Sequence, residues 1–411
     1  MANSKTAAAL ACVALALLSV ACGRSAPADW TVTVARVVPP AGGNSSEPQI
    51  TDSPQGPVLS WIERVGTTNV LKFSERTGSG WSAAITAASG DDWFLSYADV
   101  PSVTRLGDGT LVAQWLQTID PVTEAYSLQL SYSKDGGKTW APSFTPHHDG
   151  TRSQHGFASI VELAGGTIGV VWLDGRNSEF FENDPTSGTM TLRYAAFDSS
   201  WTQTADVEID QNVCECCPTS LVVTADGLLT AYRDRTPEEI RDIVVSRLEG
   251  GTWTPPAIVG KDDWQIEICP VNGPMMSASG RTIVAGWFTV KNDQGQAYAA
   301  FSSDAGRTWG QPIRLDDGGS LGRVDVELLD DGSAVASWVE YAEGSADLRF
   351  RRIESSGTRS APVTVAPVSG GRASGYPRIA RRDNELIFAW TDSGTDEGGQ
   401  LQLQTAVGEL P

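Results

Sequence analysis

An apolar segment that ends in an aromatic residue recurs seven times along the chain, and this repetition restricts the fold more than any other feature. The copies run from Pro57 to Trp61, Leu111 to Trp115, Ile168 to Trp172, Leu228 to Tyr232, Ile283 to Trp287, Ala334 to Trp338 and Leu386 to Trp390. Successive aromatics lie 54, 57, 60, 55, 51 and 52 residues apart. A period of that length, carried by short β-type runs, marks units that cannot bury their faces alone and must stack on their neighbours. Turn sequences such as Gly107-Asp108-Gly109, Ala164-Gly165-Gly166, Asp226-Gly227 and Asp330-Asp331-Gly332 precede most copies. They read as hairpins joining the first strand of each unit to the second. The expected architecture is therefore all-β, a β-propeller of four-stranded blades. Seven blades are expected, with six blades and a divergent insertion as the alternative. The last unit stops after Leu401 to Gln404, one strand short, and Trp30 to Ala35 offers the missing outer strand. Such a closure removes a free sheet edge.

Repetition also overrides length as a guide to domain number, because roughly 380 residues of non-repeating sequence would suggest two or three domains. The division expected is a signal peptide over 1–21, a linker over 22–29 and one propeller domain over 30–411. Lys5, the apolar stretch from Ala7 to Leu18 and the small residues before Cys22 have the order of a secretory signal. The ending resembles a bacterial lipoprotein box, which implies acylation of Cys22 and attachment to the cell or outer membrane, facing the periplasm or the cell surface. Plain cleavage to a soluble secreted protein is the alternative. Removing Lys5 takes the formal charge from -20 to -21. A field that negative repels polyanions, which argues against nucleic acid as a partner and requires a local arginine cluster for any anionic substrate.

A second repeated element follows the third strand of several units. Ser133-Lys134-Asp135-Gly136-Gly137-Lys138-Thr139-Trp140 and Ser302-Ser303-Asp304-Ala305-Gly306-Arg307-Thr308-Trp309 both fit S-x-D-x-G-x-T-W. The segment from Ser246 to Trp253 lacks only the Asp, and weaker copies end at Trp81 and Trp201. The element resembles the Asp box, or BNR repeat, of the sialidase superfamily, and the resemblance spans nearly the whole chain after the leader. Its residues do structural work: the carboxylate accepts N–H groups within the turn, Gly supplies positive φ and Trp packs between strands.

In sialidases the Asp boxes occupy the face opposite the active site, so the resemblance directs attention to the face where first strands start and second strands end. A sialidase needs an arginine cluster for the substrate carboxylate, a tyrosine nucleophile and acidic groups beside them. The resemblance implies Tyr376, Arg323, Arg378, Asp325 and Glu340 as catalytic candidates, with Arg176, Arg233, Arg235 and Asp174 as substrate-binding candidates. Salt bridges within the protein are the competing role for these arginines. The early Arg-Ile-Pro motif of the family has no counterpart, since Glu47-Pro48-Gln49-Ile50 and Ala98-Asp99-Val100-Pro101 both lack the Arg.

The cluster Cys214, Cys216 and Cys217, with Cys269 one unit later, falls outside that pattern. In an exported chain it reads first as two disulfides. A bridge between adjacent Cys216 and Cys217 would be strained, so one from Cys216 or Cys217 to Cys269 is expected, leaving a pair or two thiols behind. A metal site of these cysteines with His155, suited to Cu or Zn, is the alternative. Otherwise no cofactor is expected. Pro146, Asp149 and Gly150 mark the stretch holding His147 and His148 as a turn, read as an exposed loop. The functional expectation is an exported, sialidase-like propeller that binds or hydrolyses an acidic glycan. The alternatives are a noncatalytic module that holds a protein partner, or a metal or redox site at the Cys/His mouth.

Overall fold

The computed structural model describes residues 30–411 apart from 79, 123, 179–187, 343 and 395–399. The leader, the Cys22 acylation site and the 22–29 linker lie outside the described residues. The structure is a seven-bladed β-propeller. Each blade runs outward from an inner strand, and the inner strands are Ser45–Thr51, Ser102–Arg105, His155–Leu163, Ser220–Thr224, Met275–Ser279, Ser320–Leu328 and Arg378–Arg382. Blade 2 has three named strands, with Phe144 bridging to Leu130 where its outer strand would run. No helix of the described residues is long and apolar enough to cross a membrane.

Blade 7 is built from both ends of the chain. Strand Val34–Val37 pairs antiparallel with Gln402–Glu409, placing Val34 opposite Gly408 and Val37 opposite Thr405. The expected N-terminal closure therefore forms, beginning a few residues later than Trp30. Trp30 and Val32 pack instead into the cluster of Phe350, Phe388 and Trp390.

The seven repeated aromatics explain why the units close into a ring. Trp61, Trp172, Trp287, Trp338 and Trp390 are fully buried, and Tyr232 and Trp115 nearly so. Each lies in a core cluster with residues of the preceding blade: Trp172 with Leu116 and Tyr126, Trp287 with Leu229 and Val245, Trp61 with Ala389 and Leu403. Burying such a side chain removes roughly 150–250 Å² from water, worth about 4–6 kcal/mol of transfer free energy. The indole N–H also needs a partner in the dry interface. Trp61 Nε1 donates to Glu63 at 2.9 Å, Trp172 to Asp174 at 2.9 Å and Trp338 to Glu340 at 2.8 Å, each two residues on along the same strand. Trp287 uses Asp262 instead, at 2.7 Å.

The two complete S-x-D-x-G-x-T-W turns bond alike. Ser133 Oγ donates to Asp135 at 2.8 Å, and Asp135 accepts from Thr139 N at 2.9 Å and Thr139 Oγ1 at 2.6 Å. Ser302, Asp304 and Thr308 repeat this at 2.8, 2.9 and 2.6 Å. Gly137 has φ 86°, and a side chain there would meet Phe73 of the preceding blade, on which Trp140 packs edge-on. The motif thus fastens one blade to the next.

Candidate functional site

The inner-strand starts of blades 6 and 7 bring Arg323, Asp325, Tyr376 and Arg378 together on the propeller axis, all buried. The Arg378 guanidinium lies 5.7 Å from the Tyr376 ring, and Tyr97 from the start of blade 2 stacks on that ring with centroids 6.4 Å apart. Arg372 covers Tyr97 from outside, at 5.7 Å. Arg233, Arg323 and Arg378 all lie within electrostatic reach of the Tyr376 hydroxyl. Burial raises that phenol's pKa, with neighbouring Tyr97 adding and the three arginines opposing. The hydroxyl donates to the Val271 carbonyl.

The arginines differ in what already holds them. Arg233 is held through each of its three nitrogens by a main-chain carbonyl, donating to Asn272 at 2.8 Å, Arg241 at 2.5 Å and Phe288 at 2.6 Å. Burial pulls its pKa down to about 10. Arg323 donates to Ser374 Oγ and, at 2.6 Å, to the Gly371 carbonyl. Arg378 is the least satisfied: Nη1 faces Met275 Sδ at 3.4 Å, and Nε has no partner among the described residues. The carboxylate that acts on it electrostatically is Asp325, which accepts from Val326 N at 2.9 Å and Ile379 N at 3.0 Å. Burial raises the Asp325 pKa, and Arg378 opposes that rise.

Arg378 also lines a small axial cavity of about 50 Å³ with Gln49, Asp99, Phe157, Thr219 and Met275. Asp99 is 2% exposed, and its Oδ2 has no hydrogen-bond partner. Burial lifts its carboxyl to about 7, against the Phe157 N–H that favours the anion. Glu47, likewise buried, is lifted to about 8 by burial and by Asp99, with Arg64 opposing. A larger cavity of about 370 Å³ follows on the axis, bordered by Asp52, Arg105, Glu162 and Glu327 at the far ends of the inner strands. It opens on the face of the Asp-type turns, away from Tyr376.

The other sequence candidates are engaged by the scaffold. Glu340 accepts from Trp338 Nε1, from Asp317 N at 3.1 Å and from Arg349 at 2.9 Å. Arg176 forms a bidentate pair with Asp174, both bonds 2.8 Å, as its sequence neighbour suggested. Arg235 pairs with Glu239 and Glu215 rather than with the adjacent Asp234. The loop Pro237 to Arg241 is irregular and carries the fully buried Arg241 onto Glu215 and Glu239.

The alternative reading, in which His155 meets the cysteines, is not what the structure shows among the described residues. Cys214 bonds Cys217 and Cys216 bonds Cys269, so the second bridge joins the approaches to blades 4 and 5. His155 instead stacks on His147, centroids 3.8 Å apart and planes 7° from parallel, and turns Nε2 to Asp149 at 3.1 Å. His147 is buried, contrary to its reading as an exposed loop residue, whereas His148 is exposed and meets Gln203. Burial and the neighbouring His155 lower the His147 pKa to about 4. At Asp149, burial would raise the pKa, but hydrogen bonds from His155 and Thr151 outweigh it and hold the carboxyl low. Among the described residues, two groups bring potential ligand atoms within 4.8 Å of one another: Cys214, Cys216 and Cys269, and His147, Asp149 and His155. The part Asp149 plays in this cluster is not evident from sequence, where its trace is the spacing H-x-D-x5-H.

The sequence matches no protein-family model and no curated protein. Solved structures resemble the fold. A protein of unknown function from Dyadobacter fermentans is 15% identical, with a TM-score of 0.51 covering 92% of this chain and 98% of that one. The polysaccharide lyase Uly1 is 9% identical, with a TM-score of 0.52 over 89% of this chain and 90% of its own. The endosialidase of phage phi92 is 10% identical, with a TM-score of 0.51 over 93% and 70%. At such identities the likeness is one of fold.

Proposed function

We propose that the protein acts on an acidic glycan at the axial mouth formed by Tyr376, Arg323 and Arg378, with the sugar carboxylate received by Arg378. The observation that carries this reading is the state of Arg378. A buried guanidinium whose hydrogen-bond acceptor is a thioether sulfur, with Nε unpartnered among the described residues and Asp325 acting on it only electrostatically, is costly to maintain and is suited to an anionic ligand. Glycan-active proteins occur among the similar folds, which supports the substrate class. The same reading extends to the sialidase-type Asp-box scaffold and to an exported chain anchored through Cys22.

The test is a panel of acidic polysaccharides and chromogenic sialosides. Release of sialic acid would signal hydrolysis, and an unsaturated uronate product would signal β-elimination. Arg378→Ala and Tyr376→Phe are expected to abolish turnover. Absence of both turnover and glycan-array binding would refute the proposal. One observation favours a second reading, binding without catalysis. The Tyr376 hydroxyl is spent on the Val271 carbonyl and its pKa is raised, the reverse of an activated nucleophile. Glycan binding without turnover would select it.

A further inference from the structure

We propose that the Cys216–Cys269 disulfide is a thiol-exchange site for an external dithiol and a latch that keeps residues 269–272 over Tyr376. The chemistry of the bridge stands without the glycan reading. What the latch regulates rests on that reading, since it covers the same mouth.

The two bridges differ in access. Cys214 and Cys217 are 1% and 2% exposed, whereas Cys216 is half-buried and Cys269 is exposed. Exchange requires a thiolate to reach a sulfur, so an incoming dithiol meets Cys269 first. Its first thiolate bonds to Cys269 Sγ, the Cys216–Cys269 bond breaks, and Cys216 leaves as a thiolate that takes a proton from water. The dithiol's second thiolate then bonds to its own first sulfur and expels Cys269, which is protonated in the same way. Two electrons have passed from the dithiol, now a disulfide, to the two cysteines, now thiols.

The segment this bridge anchors has little else to hold it. Residues 267–274 lead irregularly into strand Met275–Ser279 and make no backbone-to-backbone hydrogen bond among the described residues. Their polar contacts go to the mouth instead. The Val271 carbonyl accepts the Tyr376 hydroxyl, the Asn272 carbonyl accepts Arg233 Nε at 2.8 Å, and Asn272 Oδ1 accepts Arg323 N at 2.9 Å. Gly273 packs against the Pro218 main chain, closer than a side chain would allow, and so fixes the far end of the segment. Between these two anchors Val271 has φ 48°, a left-handed conformation that is costly for a β-branched residue and persists only where its surroundings impose it. With the bridge closed, the Val271 carbonyl sits on Tyr376. With the bridge open, Val271 relaxes to an ordinary φ and withdraws that carbonyl, which frees the hydroxyl for a ligand. The competing role for the bridge is a plain staple between the approaches to blades 4 and 5.

Full-length wild-type chain, titrated with dithiothreitol under native conditions, alkylated and mapped by peptide mass spectrometry, is expected to gain two labels first, one of them on Cys269. Labels on Cys214 and Cys217 while Cys269 stays bridged, or four labels appearing together, would overturn the exchange site. Hydrogen exchange before and after this reduction reads the latch with no glycan present. Amides in 269–272 and the Arg323 amide should exchange about tenfold faster or more once the bridge opens. Equal rates in both states would overturn the latch and leave a plain staple. The paired Cys216→Ser and Cys269→Ser variant should show the fast rates without reductant, and slow rates there would overturn the latch equally. The glycan panel is then run on both redox states, with binding expected to be about tenfold tighter in the reduced chain. Equal binding would overturn the regulation alone, and no binding in either state would refute the glycan reading while the exchange results stand.

Discussion

Replacing Asp99 with Asn should make the protein more stable than the wild type at alkaline pH and leave little difference in acid. The Asp99 carboxyl is 2% exposed, one of its oxygens has no partner, and burial lifts its pKa from the ordinary 3.8 to about 7. A group whose pKa is higher in the folded chain favours folding most fully below its unfolded value. That contribution is lost as pH rises toward the folded value. A rise of about three units corresponds to about 4 kcal/mol between the acid and alkaline limits, at roughly 1.4 kcal/mol per unit. Between pH 5 and pH 8 about 3 kcal/mol of that should appear. Asparagine keeps the shape and an oxygen for the Phe157 N–H but cannot ionise. Urea unfolding of both proteins at pH 5, 6, 7 and 8 gives the difference directly, and it should grow toward pH 7 and then flatten. Glu47, near 8, titrates in both proteins, and loss of the Asp99 charge removes one cause of its rise, which favours the variant in the same direction. A difference that stays constant within about 0.5 kcal/mol over this range would refute a neutral, buried Asp99.

Other consequences concern the scaffold. Arg233→Met strips three carbonyls of their donor and should cost at least about 3 kcal/mol in denaturant titration; a loss under about 1 kcal/mol would mean that those bonds carry little. The Cys216–Cys269 bridge closes 53 residues and the Cys214–Cys217 bridge only three. Chain entropy then predicts losses of about 4 and about 1.6 kcal/mol when each pair is changed to Ser, and equal losses would contradict that account. Removing residues 30–38 takes the outer strand from blade 7 and should lower the melting temperature and raise light scattering through the exposed edge. An unchanged melting temperature would show that closure contributes nothing to stability.

Much of the scaffold was legible because it repeats. The seven aromatics, their spacing and the hairpin turns are local signals, each read within a few residues, and they gave the blade count and the closing N-terminal strand. The bonding of Asp135 and Asp304 was equally local. The carboxylates two residues beyond Trp61, Trp172 and Trp338 follow the same logic, yet they were open to misreading. Asp174 and Glu340, at the ends of second strands, look like site residues, and only the buried indole N–H shows why a carboxylate stands there.

The sites were legible only in part, because they join residues far apart in the chain. Tyr376, Arg323 and Arg378 could be placed on one face from the repeat alone, and they do meet there. Sequence could not show that every nitrogen of Arg233 has a carbonyl partner while Arg378 Nε has none among the described residues, since the carbonyls concerned come from Asn272, Arg241 and Phe288. Nor could it divide the cysteines from His155. A turn-rich stretch of Pro, Asp and Gly around His147 reads as exposed, but in the structure it folds inward over blade 3 and stacks His147 on His155. What the sequence determined was the ring, because periodic burial of apolar strands is written into each repeat. What only the tertiary structure decided was which charged groups are left unpaired near the axis, because pairing depends on distances between blades that no single repeat encodes.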